Sequence, residues 1–196
     1  MLGTNDRLYN TRCYLAGAMD RVVDGGVVWR ENITEILDTM HVIVLDPCKK
    51  PIDIGGETID DRNHHNNLKR LGHYAELQKT MKVIRATDLR MVDISDFIVL
   101  NVDIDVHMCG SYEELTLANR QKKPIIVHVE QGKRSAPNWM FGMIPHDYTR
   151  TCVTKFFYRF LILIINLRLQ ERVPKESLQT HQYHIWAYFL WFVLHQ

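Results

Sequence analysis

Short apolar runs alternate along the chain with stretches whose apolar positions recur every three or four residues, and this alternation predicts strands and helices in turn. Residues 12–18, RCYLAGA, read as a strand running into Gly17. A loop, MDRVVDGG, follows, and VWRENITEILDTM then has apolar positions at helical spacing. HVIVLDP is a buried strand stopped by Pro47, since proline cannot extend a ladder. Residues 48–67, CKKPIDIGGETIDDRNHHNN, form a polar, glycine-bearing excursion, expected as an inserted loop that acts as a flap or borders an active site. LGHYAELQKTMKVIRATDLRMVDIS is mostly helical, DFIVLNVD is the next strand, and residues 105–130 supply a turn, a helix and the strand KPIIVHV. Strands that alternate with helices, and that are apolar throughout, predict an α/β fold: a Rossmann-like (flavodoxin-like) parallel sheet flanked by helices on both faces.

The last quarter breaks the pattern. Residues 152–173 are expected as a C-terminal packing helix that completes a single α/β domain over residues 1–173; Lys155, Arg159, Asn166 and Arg168 interrupt its apolar run, so the length needed for a bilayer span is not met. Residues 174–196 form an aromatic-rich tail whose apolar stretch is again too short to span. It suits cover of a hydrophobic patch or self-association better than contact with a membrane surface.

Composition narrows the function classes. The chain has 196 residues, 46% hydrophobic and 24% charged, as an ordinary globular domain has. A net charge of +1, with no basic run or stripe, provides no footprint for nucleic acid. Cys13, Cys48, Cys109 and Cys152 form no CxxC pair and the N-terminus lacks an apolar leader, so a reducing cytoplasm is the expected location. His64 and His65 are adjacent without further spaced ligands, so no metal site is expected, and neither GxxxxGK[ST] nor GxGxxG occurs, so no cofactor is either. Cys109 has no histidine in a diagnostic frame and reads as a packing residue.

Candidate chemistry follows from the fold. Parallel sheets bind ligands beyond the carboxyl ends of their strands, which brings together the loop of residues 17–26, the segment 103–111 and the loop GKRSAPNWMFG. Tyr14, Asp88 and Glu114 would then surround a cleft: one carboxylate as nucleophile, one to handle a proton, and a phenol to orient the first, as substitution at a glycosidic carbon requires. Each has a plainer reading. Tyr14 suits a core strand, Asp88 a helix cap or an ion pair with Arg85 or Arg90, and Glu114 an acid in a helix's first turn. The adjacent Glu113 sharpens the last case, because two neighbouring residues diverge by about 100° on a helix and only one can face solvent.

CYLAGAMD, TDLRMVDISDFIVLNVD, CGSYEELTLANRQKKPIIV and APNWMFG occur in the order and approximate spacing seen in nucleoside 2-deoxyribosyltransferases, and the chain resembles that family over most of residues 12–148. It is similar also to the related 2′-deoxynucleoside 5′-phosphate N-hydrolases. The resemblance implies a covalent mechanism on an N-glycosidic bond, with Glu114 as nucleophile, Tyr14 holding its carboxylate, Asp88 handling the proton of the base, and Glu113 a solvent-side cap. It implies substrate contacts at Gly17, Met19, Asp20, Gly110 and Ser111. It further implies a homo-oligomer with shared sites, in which Asn138 and Met140 enter a neighbour's pocket. The substrate would be a small nucleoside or nucleotide.

Two departures qualify the pattern. Met108 stands where the transferases carry a second base-contacting aspartate, with Asp105 and His107 nearby, and Thr116 replaces a glycine and is expected to narrow the cleft. Met108 is the feature that favours the alternative reading, a catalytically inactive nucleotide-binding or sensing module of the same fold.

Overall fold

The computed structural model describes residues 8–50 and 56–146, and the backbone of 149–150. The chain divides into two compact units, Met1–Val153 and Thr154–Gln196. The expected packing helix at 152–173 and the aromatic tail at 174–196 lie outside the described residues.

The first unit is built on strands β1 (Arg12–Gly17), β2 (Ile43–Leu45), β3 (Phe97–Val102), β4 (Ile125–Val129) and β5 (Thr149–Arg150). All pairings are parallel, in the order β2-β1-β3-β4-β5. This is the flavodoxin-like order, and its switch point lies between β1 and β3. The helices are α1 (Val27–Thr39), α2 (Ile59–Leu71), α3 (Tyr74–Ile94), α4 (Cys109–Arg120) and the single turn α5 (Met140–Met143). The chain leaves β1 toward one edge and returns across it toward the other. Right-handed crossovers therefore put α1 on one face and α3 and α4 together on the opposite face, where those two helices pack on each other.

Strand parity sorts the core. Tyr14 and Ala16 of β1 share a face with Ile98, Leu100 and Val102 of β3, and these pack with Met91, Val92, Leu115 and Ala118 of α3 and α4. All six residues of β3 are buried, as a central strand covered on both faces must be. β2 departs from its expected burial: Ile43 is exposed, because the strand is the sheet edge.

The excursion is also more ordered than expected. It is helical from Ile59 to Leu71, opened by a capping box in which Thr58 Oγ1 accepts from Asp61 N and Asp61 Oδ2 accepts from Thr58 N. Only Leu68 is buried along these 13 residues, so the helix has almost no apolar stripe by which a periodicity reading could find it.

Candidate functional site

Three charged residues occupy positions where helices normally present apolar side chains. The buried stripe of α1 is Arg30, Ile33 and Leu37; that of α3 is Ile84, Asp88, Met91 and Val92; that of α4 is Ser111, Glu114, Leu115 and Ala118. Spacings of three and four carry each charge toward the sheet. Their polar ends meet around a cavity of about 450 Å³ at the switch point, lined by the residues that follow β1 and by the start of α4.

The first-turn reading of Glu113 and Glu114 does not hold. The helix begins at Cys109 with no acid in its first turn, so the glutamates are its fifth and sixth residues and lie beyond the reach of the end's free N–H groups. Their divergence on the helix separates their fates. Glu113 sits at the cavity rim in a bidentate pair with Arg85 of α3, not as a cap. Glu114 is 9% exposed, and its Oε1 accepts the Tyr14 hydroxyl proton at 2.7 Å. Tyr14 is fully buried beneath the cavity.

Asp88 pairs with neither Arg85 nor Arg90, nor does it cap a helix. Its Oδ1 lies 2.9 Å from Lys50 Nζ, close enough for charge pairing though without the angle of a directed hydrogen bond. Lys50 also binds Glu57, so that one ammonium brings the Glu57 and Asp88 carboxyls together. Lys50 and Glu57 flank residues 51–55 in the polar excursion and have no local pattern that would mark them.

Arg30 is the other residue that sequence reasoning missed, although its stripe position was a signal. Its guanidinium donates to Gly26 O at 2.7 Å and Gly17 O at 3.0 Å, and lies 3.6 Å from Asp46. It thereby fixes the loop between β1 and α1 from inside. Arg62 of α2 holds the same loop from outside through Met19 O and Val22 O. Gly26 makes this clamp possible: its φ is 74°, and a Cβ there would stand 2.2 Å from Ala18 O.

The electrostatics are those of a crowded, poorly hydrated cluster. Burial raises the Glu114 carboxyl to about 7; the Tyr14 hydrogen bond and Arg30 pull it down, while Asp88 and Glu57 push it up. Burial and the neighbouring Asp88 charge raise Glu57 to about 7 against the pull of Lys50. Asp88 is raised by burial, with Lys50 opposing. Burial and the charge of Glu114 hold the Tyr14 phenol well above its usual range, so it remains a hydrogen-bond donor.

The remaining expected site residues divide. Gly17, Met19, Asp20, Gly110 and Ser111 all line the cavity, as do Met108 and His107. Met108 is nonetheless 3% exposed and packs into the core, its Sδ accepting from Asp103 N at 3.4 Å. Thr116 does not narrow the cleft: it is exposed, and its hydroxyl donates to Tyr112 O at 2.8 Å. Asn138 is exposed and lies outside the cavity lining. Met140 is 3% exposed and packs in the core of its own chain. Among the described residues no group of three His, Cys, Asp or Glu side chains is arranged to hold a metal ion, and no helix is long and apolar enough to cross a membrane.

No protein-family model matches the chain, and no curated protein sequence does. Among solved structures it is similar to a 2-deoxyribosyltransferase from the psychrotolerant bacterium Bacillus psychrosaccharolyticus, with 13% identity and a TM-score of 0.47, over 68% of this chain and 82% of that one. Function is therefore read from the geometry of the site itself.

Proposed function

We propose that this chain cleaves or exchanges the N-glycosidic bond of a 2′-deoxynucleoside or its 5′-monophosphate through a covalent glycosyl-Glu114 intermediate. The observation that carries the reading is the Tyr14–Glu114 pair on the floor of a cavity at the switch point. A buried carboxylate with one oxygen held by a phenol has a fixed orientation, and its second oxygen is available to attack C1′. Asp88, across the same cavity, handles the proton of the leaving base, since an oxocarbenium-like transition state needs that base to leave neutral. Water or a second base then attacks C1′ and restores Glu114, which makes hydrolase and transferase two outcomes of one intermediate.

The resemblance of the sequence over residues 12–148 to the deoxyribosyltransferases supports this reading. So does the exposed pair Asn138 and Trp139, which suits a homo-oligomer in which this loop borders a neighbouring cavity. Incubating the protein with each deoxynucleoside and deoxynucleotide, with and without an acceptor base, tests it. Free base alone means hydrolysis, and a new nucleoside means transfer. Neither product would favour the inactive binding module, the reading supported by Met108, which offers the cavity no carboxylate.

A further inference from the structure

Lys50 meets two carboxylates at once. Its Nζ lies 2.9 Å from Asp88 Oδ1 and is hydrogen-bonded to Glu57 Oε2, and its own side chain is 4% exposed. One buried cation cannot balance two buried anions, and Arg30, the other buried cation lining the cavity among the described residues, is already paired with Asp46. A surplus charge in a poorly hydrated site is relieved by binding a proton. The proton sits on Glu57, which burial and the charge of Asp88 both raise. Glu57 also faces the cavity, 20% of its side chain being exposed.

We propose that Glu57 stores the proton delivered to the leaving base, in a carboxyl–carboxylate pair with Asp88 that Lys50 keeps singly protonated. The inference rests on the glycosyl-transfer reading and assigns a donor to it. As Glu114 forms its bond to C1′, the electrons of the C1′–N bond pass to the base, and the base takes the proton from Glu57. Glu57 becomes a carboxylate beside Lys50. When water or an acceptor base attacks C1′, it gives its proton to Glu57 and the bond to Glu114 breaks. Each cycle thus returns both carboxyl groups to their starting states. Asp88 handles the base's proton through Glu57 rather than carrying it: it remains the ionised partner that positions the Glu57 hydroxyl. Among the described residues, Lys50, Asp88, Glu114, Tyr14 and Cys48 interact electrostatically with Glu57, and Arg30, Arg62 and His65 line the same cavity.

Infrared titration in a Glu114→Gln background, which removes the other carboxyl titrating near 7, tests the store without requiring turnover. A carboxylic-acid carbonyl band present below pH 7 and bleached above it is expected in Glu114→Gln and is expected to be absent from the double variant Glu57→Gln/Glu114→Gln. Survival of that band in the double variant overturns the assignment. The donor role is tested by comparing the natural deoxynucleoside turned over fastest with 4-nitrophenyl 2-deoxyriboside, whose leaving group departs without a proton. Glu57→Gln is expected to lose on the order of a hundredfold on the first and far less on the second. Equal losses on both overturn the donor role while leaving Glu114 as nucleophile, whereas a wild type inert toward both removes the glycosyl-transfer reading itself.

Discussion

Tyr14 and Glu114 stand 100 positions apart in the chain, yet the tyrosine hydroxyl and the carboxylate Oε1 are 2.7 Å apart in the core. The bond lowers the cost of leaving Glu114 ionised beneath a cavity, and it fixes the orientation of the carboxylate. Loss of the donor leaves the burial and the nearby carboxyls unopposed on that side. Tyr14→Phe is therefore expected to raise the Glu114 carboxyl above its value of about 7 and to move the acid limb of kcat/KM to higher pH. An unmoved limb in a folded variant would show that the phenol serves packing alone.

Glu114→Ala is expected to lose at least a thousandfold in turnover, as removal of a covalent nucleophile does, while Glu113→Ala retains most activity because its partner is the rim residue Arg85. Steady-state assays of the two variants, with circular dichroism as a fold control, separate them. Equal losses would count against the nucleophile.

Wild-type kcat/KM should follow a bell centred near neutral pH. In the proposed mechanism Glu114 must be ionised to attack, so the rate rises with pH through about 7; Glu57 must be protonated to donate, so it falls above about 7. The apparent values belong to the coupled cluster of Glu57, Asp88 and Glu114, with Lys50, Arg30, Tyr14 and Cys48 against it. A rate that climbs steadily to pH 9 would exclude a carboxylic-acid donor.

Stability carries the same signature with its own sign. Between 4.5, the ordinary glutamate value, and about 7, the folded state binds more protons at Glu114 than the unfolded chain, so this group's contribution to the unfolding free energy falls as pH rises through that window. Glu114→Gln has no such group. Its stability relative to wild type should therefore increase from pH 5 to pH 8, by on the order of 3 kcal/mol for a shift of this size. Urea titrations at the two pH values measure it, and parallel curves would show that burial leaves this carboxyl unperturbed.

Gly17 is expected to tolerate no side chain. A Cβ would lie 2.6 Å from the Trp29 ring and 3.2 Å from Asn101 O, so Gly17→Ala must displace the ring or part β1 from β3 at the cavity edge. A destabilisation of about 1–3 kcal/mol, with weaker substrate binding, is the expected outcome by thermal unfolding and KM.

Much of the architecture was written in local pattern. The continuous apolar runs of β3 and β4 and the long amphipathic stretch of α3 report their own period, because burial on two faces or one stripe must be repeated along the element itself. α2 escaped that reading, since a helix burying only Leu68 leaves no period to detect; its Thr58–Asp61 box was the remaining signal. Asp88 and Glu114, like Arg30, could be seen as charges placed in apolar stripes, which poses the question of partners without answering it.

The partners were decided by tertiary structure. Lys50 and Glu57 lie in a polar stretch whose composition says only that it is hydrated, and their meeting with Asp88 depends on where the chain between β2 and α3 crosses the sheet. Met140 shows the converse, a residue whose motif placed it in a pocket and whose packing placed it in its own core. The sequence by itself determined strand and helix order, and the fact that charges would be buried, because period and burial are local properties of an element. Only the fold decided which charges share a proton, because that depends on distances between segments that no single segment encodes.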